Sequence, residues 1–128
     1  METITAKIPI TIDAASLCKM SERGQIAGGI LDGPLAMDNA VNPEAARIKR
    51  IVFPVAGQAQ ILVAPDLESG NMFSKNLIFM AEADSAGIVL GVRVPVLLTS
   101  RADNVQARFV SAVVGSLYAH YLAGQSVH

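Results

Sequence analysis

The sequence predicts an α/β domain with a largely parallel sheet. Three observations carry the prediction. Short apolar runs alternate with stretches whose apolar residues recur at helical spacing, the pattern of strand–helix units. Two of those runs end in a polar turn where a helix should begin, at Pro65-Asp66-Leu67-Glu68-Ser69-Gly70-Asn71 and at Thr99-Ser100-Arg101-Ala102-Asp103. The 128 residues, finally, make one domain's worth of chain, with no internal repeat or linker.

Residues 3–12 place Ile4, Ala6, Ile8, Ile10 and Ile12 on one side and Thr3, Thr5, Lys7, Pro9 and Thr11 on the other. That alternation predicts a half-buried strand, and Pro9, which has no N–H, puts it at a sheet edge. Asp13 then caps a helix that runs to about Arg23 and stops at Gly24. Cys18 lies within it as an ordinary small side chain. Residues 26–31 read as a short strand before the tight turn Asp32-Gly33-Pro34-Leu35. Asn42-Pro43-Glu44 is a helix start, with a capping side chain and proline at the first helical position. Arg47, Lys49 and Arg50 fall in the last turn of that helix, where cations complement its dipole and form a solvated face.

Ile61-Leu-Val-Ala64 is a second buried-strand candidate, reached through the turn-like Phe53-Pro-Val-Ala-Gly57. The helix after Asn71 carries Met72, Leu77, Phe79 and Met80 among its apolar residues. Asp66 and Glu68 at its start have two readings, as acid/base groups or as carboxylates favoured by the dipole. Residues 86–92 and 96–98 give two further strands. After them Val105, Phe109, Val110, Val113, Val114, Leu117, Tyr118 and Tyr121 recur at helical spacing, and residues 124–128 read as a frayed tail.

The turn before that last helix is the candidate site. Ligands of open α/β sheets bind outside the carboxyl ends of strands. Ser100 and Arg101 there offer a hydroxyl, helix-start N–H groups and a guanidinium to an anion. Ser100 with Asp103 three residues on is also a capping box. The readings are compatible, because a capped helix start still attracts anions.

Composition sets the outer limits. The chain is 52% hydrophobic and 16% charged, against roughly 45–50% and 25% in ordinary globular domains. With no Trp, the core must be aliphatic. So few charges make the surface hard to cover, and a sizeable partner interface is expected. A net charge of −1 gives no reason to expect nucleic acid or an anionic membrane surface as partner. No apolar run approaches the roughly 20 residues of a membrane span, and no secretion signal is legible, so the expected location is cytoplasmic. One Cys and two His make no Cys/His zinc site, and no metal site is predicted. Neither Gly28-Gly29 nor Gly70-Asn71 fits a phosphate-loop or dinucleotide pattern, and no Ser-His-Asp arrangement can be drawn.

Several segments together resemble one family. They are Asp13-Ala-Ala-Ser-Leu-Cys-Lys-Met20 with Glu22-Arg-Gly-Gln25, Leu31-Asp-Gly-Pro-Leu-Ala-Met-Asp38, Pro54-Val-Ala-Gly57, Pro65-Asp-Leu-Glu-Ser-Gly-Asn71 with Lys75, and Thr99-Ser-Arg-Ala-Asp103. In that order, over about residues 8–122, they resemble the phosphate acetyl/butyryl transferases, most closely the phosphate butyryltransferase-like branch.

The resemblance implies reversible transfer of an acyl group from coenzyme A to orthophosphate, with no metal or bound cofactor. It implies a three-layer α/β/α fold similar to the isocitrate and isopropylmalate dehydrogenases, and a homodimer in the cytoplasm. It carries over Ser100 and Arg101 as catalytic residues, Arg101 holding phosphate and the developing oxyanion and Ser100 donating to the thioester region. Asp103 takes the base role, because Ala107 stands where acetyltransferase-type members have an aspartate. Gly70, Asn71 and Lys75 are carried over as substrate-binding residues. Residues 1–128 match only the C-terminal portion of the family, which implies a missing N-terminal domain and an isolated chain without turnover. The alternative is a non-catalytic module of the same fold that binds CoA or an anion or dimerises. A dehydrogenase reading lacks both a dinucleotide fingerprint and a metal-binding aspartate cluster.

Overall fold

In the computed structural model, which describes residues 2–125, the chain begins with a helix where the alternating pattern predicts a strand. α1 spans Pro9–Glu22, with Pro9 in its first turn, where a missing N–H costs nothing and the ring presets φ. Buried Thr11 secures the entry: its hydroxyl accepts the Thr5 N–H at 2.9 Å and sits 2.8 Å from the Ile8 carbonyl. The helix therefore starts one turn before Asp13. A period-two pattern holding a proline reads equally well as a turn feeding a helix, and among the described residues no neighbouring strand pairs with it. The predicted end is found. Gly24 adopts φ 71°, and the Gln25 and Gly24 N–H groups close on Met20 and Ser21 carbonyls at 2.9 Å each.

The chain divides into two units, one ending at Gly70 and one starting at Asn71. The first holds α1, α2 (Met37–Val41) and α3 (Pro43–Ile48). Asn42 caps α3 as predicted, its side-chain oxygen accepting Glu44 and Ala45 N–H groups at 2.9 and 3.1 Å. α2 and α3 pack on each other around Asn39, Ala40 and Ala46, all buried. The Gly57 N–H donates to the Asn39 carbonyl at 2.7 Å and the Ala59 N–H to Ala40 at 2.9 Å, which ties the 53–59 segment to this pair. Gly57 holds φ 83°, and a Cβ on it would lie 2.5 Å from Pro43 Cα.

The expected solvated cationic face is present, with Arg47, Lys49 and Arg50 all exposed, although α3 ends at Ile48 and not near Arg50. Arg47 pairs with Glu44 on the surface, but Lys49 Nζ reaches Glu2, Asp38 and Asn39 at 3.0, 3.0 and 3.1 Å. Neither 26–31 nor 61–64 forms a strand. Apolar runs report a tendency to be buried, whereas a strand also needs a neighbour to take its N–H and C=O groups. Ile61 and Val63 lie largely exposed, at 83% and 78%.

α4 (Leu67–Met80) runs from the first unit into the second, which also holds β1 (Ile88–Val89), β2 (Val96–Leu97) and α5 (Val105–Gln125). The two strands pair Ile88 with Leu97 and Val89 with Val96, antiparallel. The expected largely parallel sheet is therefore not what the described residues carry. Only residues 90–95 join the strands, and a parallel pair needs a crossover of a dozen or more residues. α5 covers the pair with a row of small residues. A Cβ on Gly115 would collide with Leu97, and buried Ser111 accepts the Gly87 N–H at 3.0 Å while donating to Ala107 at 2.7 Å. The predicted frayed tail is helical through Gln125, and residues 126–128 lie outside the described residues. The core is thin: Ala40, Ala46 and Ala107 are the buried apolar side chains among the described residues.

Candidate active site

The turn between β2 and α5 is built by its own polar side chains. Leu98 extends the strand pairing, its N–H donating to the Gly87 carbonyl at 3.1 Å. Beyond it, the Ser100 N–H donates to Asp103 Oδ2 at 2.6 Å, and the Asp103 N–H returns to the Ser100 carbonyl at 3.1 Å. This is the backward half of the predicted capping box. The forward half differs: the Ser100 hydroxyl accepts the Ala102 N–H at 3.3 Å, and the helix cap is Asn104, whose Oδ1 accepts the Ala107 N–H at 2.8 Å. The helix begins at Val105, four residues later than a Ser100–Asp103 box would place it. Asn104 outcompetes Ser100 because it lies directly before the first helical residue.

Within this turn the Ser100 hydroxyl keeps its proton for another acceptor. The Arg101 side chain is exposed and makes no hydrogen bond or ion pair among the described residues. Arg108, one turn into α5, donates to the Arg101 carbonyl at 3.3 Å. A second guanidinium therefore stands at the same turn, and sequence reasoning missed it; its signal was its place four residues after the cap. A hydroxyl, two guanidinium groups and a helix N-terminus suit an anion with several oxygens. Asp103 already spends Oδ2 on the loop.

The other proposed residues lie on α4. Asp66 is its cap, with Oδ1 accepting the Ser69 N–H at 2.7 Å, and the Ser69 side chain and N–H together hold its carboxyl below the usual range. Of the two readings for Asp66, the helix-start carboxylate is the one the geometry carries. Gly70 admits Ala64, whose Cβ would lie 3.3 Å from a Cβ at Gly70. Lys75 Nζ stands 5.7 Å from the centre of the Phe79 ring. Gly70 belongs to the first unit, whereas Asn71, Lys75 and the Ser100–Asp103 turn belong to the second. Within the second unit α4 packs on neither strand nor on α5, and no hydrogen bond joins Asn71 or Lys75 to the turn. Ser100, Arg101 and Asp103 are thus brought together, and Asn71 and Lys75 stand apart from them.

Comparison with known proteins decides which family owns this turn. The phosphate acetyl/butaryl transferase family model matches residues 2–115. The chain belongs to the phosphate acetyl/butyryl transferase family. It is similar to the phosphate acetyltransferase of Rhizobium meliloti, 67% identical over 119 residues that make 93% of this chain and 38% of that protein. It is also similar to the phosphate butyryltransferase of Clostridium acetobutylicum, 44% identical over 93% of this chain and 40% of that protein. Among solved structures, a branched-chain phosphotransacylase from Enterococcus faecalis matches with a TM-score of 0.79 and 32% identity, over 94% of this chain and 43% of that one. The chain thus spans well under half the length of these phosphate acyltransferase relatives. Proteins named phosphate acetyltransferase and phosphate butyryltransferase are both among these relatives, as the resemblance implies.

Proposed function

We propose that this chain forms part of a phosphate acyltransferase, which converts acyl-CoA and orthophosphate into acyl phosphate and free CoA. The observation that carries the reading is the turn after β2. Asp103 pins the Ser100 backbone in the turn that leads into α5, where Ser100 is half-buried and the Arg101 side chain is exposed. In the reaction a phosphate oxygen attacks the thioester carbonyl carbon and the C–O bond forms. The carbonyl becomes an oxyanion, then the C–S bond breaks and the thiolate leaves with its electron pair and takes up a proton. Arg101 holds phosphate and neutralises the growing charge, and Ser100 donates to the thioester region or the leaving sulfur. Asp103 serves first as the loop's anchor, and its second carboxylate oxygen is the remaining candidate for the base role. Gly70, Asn71 and Lys75 contribute to substrate binding.

Neither a metal nor a bound cofactor is needed for this transfer. The same reading carries a cytoplasmic location, assembly into a homo-oligomer, and a three-layer α/β/α architecture like that of the isocitrate dehydrogenases once the remaining length of the relatives is present. No helix among the described residues is long and apolar enough to cross a membrane.

The test uses the Rhizobium meliloti enzyme with its matching 119 residues replaced by those of this chain. Arg101→Gln and Ser100→Ala in that chimera are expected to lower kcat by about 10²–10³-fold each, the usual loss on removing one oxyanion donor. Retention of full acyl phosphate formation by both variants would remove the turn from the mechanism.

A further inference from the structure

The Ser100–Asp103 turn is closed at its ends and held again across its middle. The Asp103 N–H bonds to the Ser100 carbonyl at 3.1 Å, the i to i+3 bond of a closed β-turn. Asp103 Oδ2 adds a second tie between the same ends, taking the Ser100 N–H at 2.6 Å. Neither bond involves the central peptide unit, which joins Arg101 to Ala102. Two other groups hold that unit. Its N–H donates to the Ser100 hydroxyl at 3.3 Å, and its carbonyl accepts Arg108 Nη2 at 3.3 Å.

Arg108 reaches in from outside the turn. It is the fourth residue of α5, and its own N–H closes on the carbonyl of the cap, Asn104, at 3.3 Å. That end of α5 is anchored to the 84–87 segment: Gln106 Nε2 donates to Asp84 Oδ1 at 3.2 Å, and the Gly87 N–H donates to the Ser111 hydroxyl at 3.0 Å. A guanidinium is a planar fork, so from a fixed helix it sets the direction of the carbonyl it grips. The consequence falls on Arg101. Its ψ angle turns the same peptide unit that Arg108 holds. The Arg101 side chain makes no hydrogen bond or ion pair among the described residues, so its direction rests on the backbone that carries it.

We propose that Arg108 is a positioning residue of the anion site. Through the Arg101 carbonyl it holds the central peptide of the turn, and with it the Arg101 guanidinium, in the direction that takes orthophosphate. The proposal rests on the phosphate acyltransferase reading above. It differs from a direct role, in which Arg108 would itself touch the phosphate.

The test is a double-mutant cycle in the Rhizobium meliloti chimera, read as binding of inorganic phosphate by calorimetry and as kcat and KM in acyl phosphate formation. Arg108→Met is expected to weaken phosphate binding and to lower kcat/KM for phosphate by about tenfold each, the scale of one hydrogen bond to a charged group, with the KM for acyl-CoA unchanged. On an Arg101→Gln background the same change is expected to do less than about twofold, because a residue that acts through Arg101 has nothing left to act through. The Arg108 side chain is exposed, so the melting temperature should stay that of the parent; Arg108→Gln, too short to reach the carbonyl, serves the same cycle should Met disturb the helix. Unchanged phosphate binding and kcat/KM in the Arg108 variants overturn the proposal. So does a tenfold loss that persists on the Arg101→Gln background, which would make Arg108 a phosphate ligand in its own right. Coupled phosphate binding without turnover keeps the positioning role and removes the proposed activity, turnover without coupling does the reverse, and a chimera with neither binding nor turnover removes both.

Discussion

Cys18 shows how one side chain's chemistry follows from where α1 places it. Partial burial pushes its thiol up from the ordinary value, and the nearby Asp32 and Glu22 carboxylates add to the effect. Thiolate is the reactive form, so alkylation by iodoacetamide at pH 8 should be slower than for a free cysteine, and its rate–pH curve should be displaced to higher pH. A rate equal to that of a free thiol would contradict the placement.

Lys49 gives the second residue-scale prediction. Its hydrogen bond to Asp38 holds that carboxyl below the usual range, and Asp38 followed by Glu2 raises the Lys49 ammonium. The lowered Asp38 contributes stability above its unfolded pKa and loses it as pH falls through the lower folded value. The raised Lys49 contributes below its own unfolded pKa and loses it as pH rises through the folded one. Lys49→Met should return Asp38 toward the ordinary carboxylate value in an NMR titration, with little change at Glu44, whose partner is Arg47.

At the scale of elements, glycines that look alike in the sequence have different consequences. Gly57 combines a left-handed φ with the Pro43 backbone as its nearest neighbour, and backbone has nowhere to go. Gly57→Ala should therefore cost about 2 kcal/mol or more of unfolding free energy. Gly115 crowds only side-chain atoms, the end of the half-exposed Leu97, which can rotate away, with Ile88 at ordinary contact distance. Gly115→Ala, which gains helix propensity, should stay within about 1 kcal/mol of the parent. Denaturant melts of the two variants separate these outcomes.

What was legible in the sequence follows the same line. Signals that act within a few residues were readable: the Asn42 cap, the Gly24 stop, the helix of α4, and the period of α5. Signals that depend on a distant partner were not. The Ile4–Ile12 alternation, residues 26–31 and Ile61–Ala64 carry strand-like patterns, yet nothing within the described residues pairs with them. The turn at Ser100–Asp103 was readable as a polar helix start. Its cap was misplaced by four residues, because Ser100 and Asn104 are both capping side chains and spacing alone does not rank them. Arg108 was hidden among the residues of a helix whose apolar stripe drew the reading.

For the whole molecule, composition and structure agree on a chain rich in apolar side chains and poor in places to bury them. Three buried alanines make a weak core, and large side chains such as Val52, at 95% exposed, face solvent. The 128-residue chain alone should bind a hydrophobic dye strongly and unfold with a shallow denaturant slope, since little area is exposed on unfolding that was not exposed before. The chimera should bind little dye. A steep cooperative melt of the isolated chain, without dye binding, would contradict the exposure described here.

The opposed faces of α5 also set how the helix tolerates change over evolutionary time. A saturation library in the chimera should return two kinds of intolerance along one helix. Positions 107, 111 and 115 should accept polarity but reject bulk, because Ala107 and Ser111 are buried, the Gly87 backbone meets Ser111 and Leu97 crowds Gly115. Positions 109, 113 and 117 should accept a range of sizes and reject charge. The first constraint is internal to this chain. The second falls on exposed positions, and it should be absent when the same library is read in the 128-residue chain alone.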